Sequence, residues 1–326
     1  MRARSSPDGP PACEGPFMVA SRSMQRLRWL SSGLASLVAA PCACELVVSL
    51  NHLDDGKGST QVDGAADAES EASDTGAEAT TSAEAGDSCP TLQGQNAVRV
   101  VTATGSYCID RTEVTNAQYG QFLTSIESAP STVTRPMGCE MQADFTPRDT
   151  ASGVVAWPAA PGTDGYPVVV VNWCQAYAYC AWAGKRLCGN IGGGPTVQTN
   201  PVKLQQASQS QWMYACSRGG IMMYPYPPGN TYLPDNCGGI GSGVGLSNAG
   251  SLPGCVGGYP GIHDMSGSVW EWTDSCGSFS PQASCTLLGG AFDSTAPELE
   301  CSGFRFAQRD TAGNNVGFRC CQDLLR

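Results

Sequence analysis

Residues 264–272 read DMSGSVWEW. Two tryptophans and a glutamate follow a glycine-containing turn, with an aspartate just before it. Trp270 and Trp272 lie two apart, so on a strand they face the same side and belong to a core. Asp264 and Glu271, with backbone carbonyls of the turn, also form a set of hard oxygen ligands of the kind calcium takes. Hydrogen bonding to turn amides is the alternative use of the same carboxylates.

The chain around this stretch has 326 residues, 40 Gly, 22 Pro and 17 Cys, with a formal net charge of −11. Such Gly and Pro content suits an irregular, loop-rich fold. The charge is uneven: residues 54–88 carry one Lys against ten Asp/Glu, whereas residues 89–326 carry 12 Lys/Arg against 16 Asp/Glu. No basic stripe appears, which excludes a nucleic-acid partner. Fourteen cysteines fall from Cys89 onward, enough for seven disulfides. There is no C-x-x-C pair and there are only two His, so a zinc cluster is excluded. A disulfide framework implies an oxidising compartment.

The N-terminal segment agrees. From Met24, MQRLRWLSSGLASLVAAPCAC begins with arginines, continues apolar and ends in small residues and cysteine. This is a secretory-signal layout, too short to span a membrane. Cys42 or Cys44 is a candidate lipid-modified cysteine, giving a lipoprotein anchored to the cell envelope. We expect residues 1–45 to be an extension and signal, 46–88 an acidic disordered tether without aromatics, and 89–326 one domain, secreted, periplasmic or envelope-tethered.

Three helices are expected within that domain. TNAQYGQFLTSI offers Thr115 or Asn116 as N-cap, with Tyr119, Phe122, Leu123 and Ile126 at helical spacing. NWCQAYAYCAWAG places Trp173, Tyr177, Cys180 and Ala181 on one face and stops at Gly184. SQSQWMYACSRGG gives a third, shorter helix. No long alternating strand and no repeat are visible. The expected class is α+β with short strands and many loops held by disulfides.

Seven segments then occur in one recognisable order: YCIDRTEVTNAQYGQFL, YPVVVVNWCQAYAYCAWAGKRLC, QWMYACSRGG, YPYPPGN, GIHDMSGSVWEWTD, LLGGAF and VGFRCC. Together, from about Tyr107 to Cys321, they resemble the formylglycine-generating enzyme family, also called the sulfatase-modifying factor domain. The resemblance implies that family's variant of the C-type-lectin fold. It also implies copper- and oxygen-dependent oxidation of a sulfatase cysteine to formylglycine.

The same resemblance puts that activity in question. The family's second copper cysteine corresponds to Cys301, four residues before Arg305. Its first corresponds to Ser294, and a hydroxyl cannot replace a soft thiolate. A family serine after the Gly289-Gly290 turn is Ala291, and the spacing to Cys301 is two residues longer. Copper binding is therefore doubtful. The family's structural calcium site maps to Asp264, the carbonyls of Gly267 and Val269, and Glu271. A second calcium site maps to Asn236, the carbonyl of Cys237 and, where this sequence is shorter, Asn248. The family's pairing implies Cys180–Cys320, and Cys216 lacks its family partner because that position is Phe306, leaving Cys301 as a candidate.

Other chemistries have less support. His52 and His263 cannot build an iron triad with one carboxylate, and His263 is expected as a packed surface residue. AGKR lacks the first glycine of a phosphate loop, having Tyr179 there. Glu298 and Glu300 form either an acid pair or a solvated loop. Cys237–Cys255 and Cys276–Cys285 are sequence-near pairs the framework allows. If all fourteen cysteines pair, no thiol is left for copper. The expectation is a scaffold that binds a protein or peptide ligand without the oxidation; the alternative is an active oxidase using Cys301 with another cysteine brought close.

Overall fold

A computed structural model describes residues 88–149, 152–153, 156–196 and 206–324. The expected signal, lipidation cysteines and tether fall almost wholly outside them. No helix among the described residues is long and apolar enough to cross a membrane.

The helices begin where side-chain caps satisfy their free amides. Helix α1 (Asn116–Ser128) is capped by Thr115, with Gln118 returning a bond to the cap backbone. Tyr119, Phe122 and Leu123 face inward. Helix α2 (Trp173–Trp182) has the same box from Asn172 and Gln175. Gly184, at φ +72°, turns the chain away after it. Helix α3 (Gln211–Ser217) is capped by Ser210.

The described strands form two four-stranded sheets. In the first, β1 (Ala97–Thr102) and β2 (Gly105–Asp110) form a hairpin, followed by β8 (Cys320–Asp323) and β3 (Arg186–Leu187), in the order β1-β2-β8-β3. The second has the order β6-β5-β4-β7, from β4 (Trp270–Cys276), β5 (Ser284–Leu288), β6 (Phe304–Gln308) and β7 (Val316–Phe318). Strands β4 and β7 run parallel and the other pairs antiparallel. Arg319 is the one residue between β7 and β8, where the chain passes between sheets.

Trp270 and Trp272 are both buried, but so is Glu271 between them. Strand β4 therefore has core on both faces, and an inward/outward alternation is absent. Trp272 donates from Nε1 to the Val171 carbonyl at 3.0 Å, which satisfies its one polar atom inside the core. Truncating either indole would cost about 3–5 kcal/mol.

All fourteen cysteines from Cys89 onward are bonded, in seven disulfides. Cys180–Cys320 ties α2 to β8. Cys188–Cys321 fastens the neighbouring residue of β8. Cys89–Cys108 and Cys139–Cys174 secure the start of the domain and of α2. The architecture is α+β, loop-rich and disulfide-stabilised.

Candidate functional site

The turn before β4 brings charged groups into the core. Asp264 and Ser268 hold left-handed φ of +58° and +60°, and Gly267 holds +79°. A side chain at Gly267 would overlap the Gly238 backbone, so this position requires glycine. The first two residues are strained for non-glycine side chains, and such strain collects at ligand-holding loops. Asp264 is buried, accepts from the Gly250 amide and donates from its own amide to Cys255 O at 3.1 Å.

Glu271 is wholly buried and bound to Arg319. Arg319 Nε donates to Glu271 Oε2 and Nη2 to Oε1, both at 2.7 Å. Trp212 Nε1 also donates to Oε2 at 2.8 Å. Two donors fill Oε2, whereas Oε1 has one and keeps a lone pair. Arg319 bonds in addition to the carbonyls of Asp110, Arg111 and His263. One guanidinium thus pins the end of β2, the Asp264 turn and β4 together.

Sequence reasoning missed a third carboxylate here. Glu113, just before α1, is fully buried; no hydrogen bond of good geometry reaches its oxygens, although the Ser268 hydroxyl and the Asp264 carboxyl lie close to them. Burial and the nearby Asp264 charge push its pKa well above the usual range. Burial likewise raises Asp264, against the pull of the Gly250 amide and Arg319. Three carboxyl groups crowd one guanidinium, and burial favours the protonated form of Glu113. No three His, Cys, Asp or Glu side chains among the described residues converge on a metal position by themselves. A cation here would need the carbonyls of Gly267 and Val269 as well. Buried Glu113 and Asp264 carboxyl groups beside a free lone pair on Glu271 fit a hard divalent ion, whose binding would displace the proton that burial favours on Glu113.

The second expected calcium set is not assembled in the same way. Cys237 is disulfide-bonded to Cys255. The Asn236 side chain lies against Gly254, and Asn248 is exposed and lies against Gly165. No hydrogen bond joins these residues among those described.

At the position of the expected oxidation centre, Cys301 is bonded to Cys216, with Cα atoms 5.6 Å apart. It presents no thiolate in this state, and the thiolate is what a soft metal needs. Ser294 is buried and closes a turn: its Oγ accepts from the Ala291 amide at 3.0 Å, and its amide donates to Ala291 O at 2.9 Å. Ala291 is itself in the core. A cavity of about 380 Å³ borders Cys301, lined by Met213, Met222, Met223 and Glu300. Glu298 is not half of an acid pair. It accepts from the backbone and hydroxyl of Thr295, both at 2.8 Å, and these bonds lower its pKa. His263 is half-buried, as a packed surface residue is, with Nδ1 unpartnered among the described residues. Lys185 of AGKR pairs with buried Asp110 at 2.6 Å, a structural role.

A model of the sulfatase-modifying factor enzyme 1-like domain matches residues 66–324. The chain belongs to this family. The match starts inside the stretch expected as tether. The fold is the family's irregular C-type-lectin-like type, as the resemblance implied. The chain is 32% identical over 188 residues to bovine (Bos taurus) inactive C-alpha-formylglycine-generating enzyme 2, covering 52% of this chain and 56% of that protein. It is 28% identical over 284 residues to the mouse (Mus musculus) formylglycine-generating enzyme, covering 71% and 70%. The chain spans about half the length of its inactive relatives from cattle and mouse. Among solved structures, PvdO from Pseudomonas aeruginosa aligns at 19% identity and TM-score 0.47, over 72% of this chain and 91% of that one. The relatives thus include proteins named as active and as inactive.

Proposed function

We propose that this sulfatase-modifying factor domain has lost cysteine oxidation in its disulfide-bonded form and serves as a binding module outside the cytoplasm. The observation that carries this reading is the Cys216–Cys301 disulfide, together with a Ser294 whose hydroxyl is used by a turn. A copper(I) site needs soft donors, and neither residue supplies a thiolate in this state. Seven disulfides are consistent with an extracytoplasmic location. A lipid anchor at Cys42 or Cys44 and the acidic tether remain part of the proposal on composition alone.

Calcium belongs to the same reading as a structural ion. Asp264, Glu113, the free lone pair of Glu271 and the carbonyls of Gly267 and Val269 would hold it. Its charge would favour the ionised forms of Glu113 and Asp264 and hold the turn against β4.

A second reading has its own observation. Reduction of Cys216–Cys301 would release two thiols side by side beneath a methionine-lined cavity. That is the arrangement an active oxidase would need from a cysteine other than residue 294. One experiment separates the two. The protein is loaded with copper(I), with and without prior mild reduction, and incubated in oxygen with a cysteine-containing sulfatase peptide. Mass spectrometry then looks for the aldehyde. An unconverted peptide in both arms supports the binding module. Conversion after reduction alone establishes a redox-gated oxidase, and conversion in both arms overturns the proposal.

A further inference from the structure

A second cavity, also about 380 Å³, opens between the start of α2 and the end of β4. It lies among Met137, Trp173, Tyr177, Asp274, Phe279 and Arg309, apart from the carboxylate cluster and from Cys301. Its size falls at the lower end of ligand cavities, roughly 300–1,000 Å³.

The walls are fixed. Trp173 Nε1 donates to Thr273 O at 2.8 Å, and its amide bonds Arg309 O at 3.1 Å. The Arg309 guanidinium lies 4.6 Å from the Trp173 ring centroid. Its two terminal nitrogens are used by the carbonyls of Met137, at 3.0 Å, and Ser278, at 2.9 Å. Asp274 is held from both sides through its backbone, to Cys188 O at 2.8 Å and from the Thr196 amide at 2.7 Å.

The Asp274 carboxylate is different. It is half-buried, and no group among the described residues donates a hydrogen bond to it or pairs with it within salt-bridge distance. The Arg186 and Arg309 guanidiniums lie near enough to favour its ionised form but neither donates to it, so a rigid, half-buried carboxylate is left with an incomplete interaction. Beside it, the Trp173 and Tyr177 rings meet at 32° with centroids 5.2 Å apart, and aromatic faces attract cations. Arg309 already occupies such a position over Trp173. At the mouth, Met137 and Phe279 are 63% and 67% exposed, which suits an aliphatic stem.

From this juxtaposition we infer that the cavity receives the lysine side chain of a peptide or protein partner. The ammonium would donate to Asp274 beside the Tyr177 face, and the methylenes would lie along Met137 and Phe279. Three donors on a compact ammonium match a carboxylate with no bonds of its own. The acidic balance of residues 89–326, 12 Lys/Arg against 16 Asp/Glu, favours approach of a basic partner. This inference deepens the binding-module reading and rests on it. The two fail separately, because conversion of the sulfatase peptide would overturn the loss of oxidation without bearing on this cavity.

The test titrates the intact protein with acetyl-Gly-Lys-Gly-amide, following tryptophan fluorescence and calorimetric heat. Matched peptides carry norleucine or acetyl-lysine. The expected result is saturable binding of the lysine peptide, at least about tenfold tighter than either control, equivalent to roughly 1.4 kcal/mol. Asp274→Asn should reduce that preference below about twofold, and 0.5 M salt should weaken it. Tyr177→Leu is the second variant and should weaken lysine binding while keeping the charge preference. Absence of saturation, equal binding of norleucine, or an undiminished preference in a folded Asp274→Asn variant would each overturn the inference.

Discussion

Asp274→Asn should make the unliganded protein more stable at pH 7. Burial is the main reason the Asp274 pKa rises from 3.8 to about 6, with Arg186 and Arg309 pulling it down less strongly. A carboxylate raised in the folded state binds more protons there than in the unfolded chain between these two values. Stability is therefore greatest below about 3.8 as far as this group is concerned, and falls as pH rises through about 6. At 1.36 kcal/mol for each pH unit, the penalty above the folded pKa is about 3 kcal/mol. Asparagine fills nearly the same volume and carries no charge to desolvate. It should recover about 1–3 kcal/mol at pH 7 and nothing near pH 3.5. For a domain of this size each kcal/mol corresponds to roughly 2–4 °C in Tm. The assay is urea unfolding of both proteins from pH 3.5 to 8, reading the difference at each pH so that other carboxylates cancel. Equal stability at pH 7, or a difference that does not change with pH, would show that Asp274 already has a partner. That outcome would also remove the physical basis for a lysine in the cavity.

Calcium should raise Tm and a chelator should lower it, with Glu113→Gln abolishing the response; a chelator-insensitive melt of the wild type would leave the Asp264 turn as a hydrogen-bonded loop. Arg319→Met removes the guanidinium facing Glu113, Asp264 and Glu271 and should cost about 3–5 kcal/mol in calcium-free buffer, measured by urea unfolding. A loss below about 1 kcal/mol would mean the carboxylates there are neutral rather than paired.

Local patterns in the sequence carried the helices. Thr115, Asn172 and Ser210 stand before apolar positions at helical spacing, and a cap acts within three residues of itself. The resemblance alone put Ser294 at the position of a family thiolate, a reading that needs only the identity of one side chain. An even cysteine count pointed to saturation of the thiols, and Cys216, whose family partner position is Phe306, is bonded to the candidate Cys301. The sheets were hidden for a physical reason. Strand β4 is buried on both faces, β3 has two residues and β7 has three, so none can show a period of two.

The buried ionic groups were hidden more deeply. Glu113 and Arg319 are far apart in sequence, and each looks like an ordinary surface residue until the fold removes water from both. Asp274 ends the quoted family segment GIHDMSGSVWEWTD and is easily taken as part of its scaffold. Only the arrival of Trp173, Tyr177 and Arg309 around it reveals a carboxylate with no donor. Natural chains tend to keep such local conflicts where a ligand resolves them. Ser294 and Cys301 are the opposite case: each is satisfied internally, one by a turn amide and the other by a disulfide. On that physical contrast, an unmet interaction that a ligand would complete is found at Asp274 and not at Ser294 or Cys301.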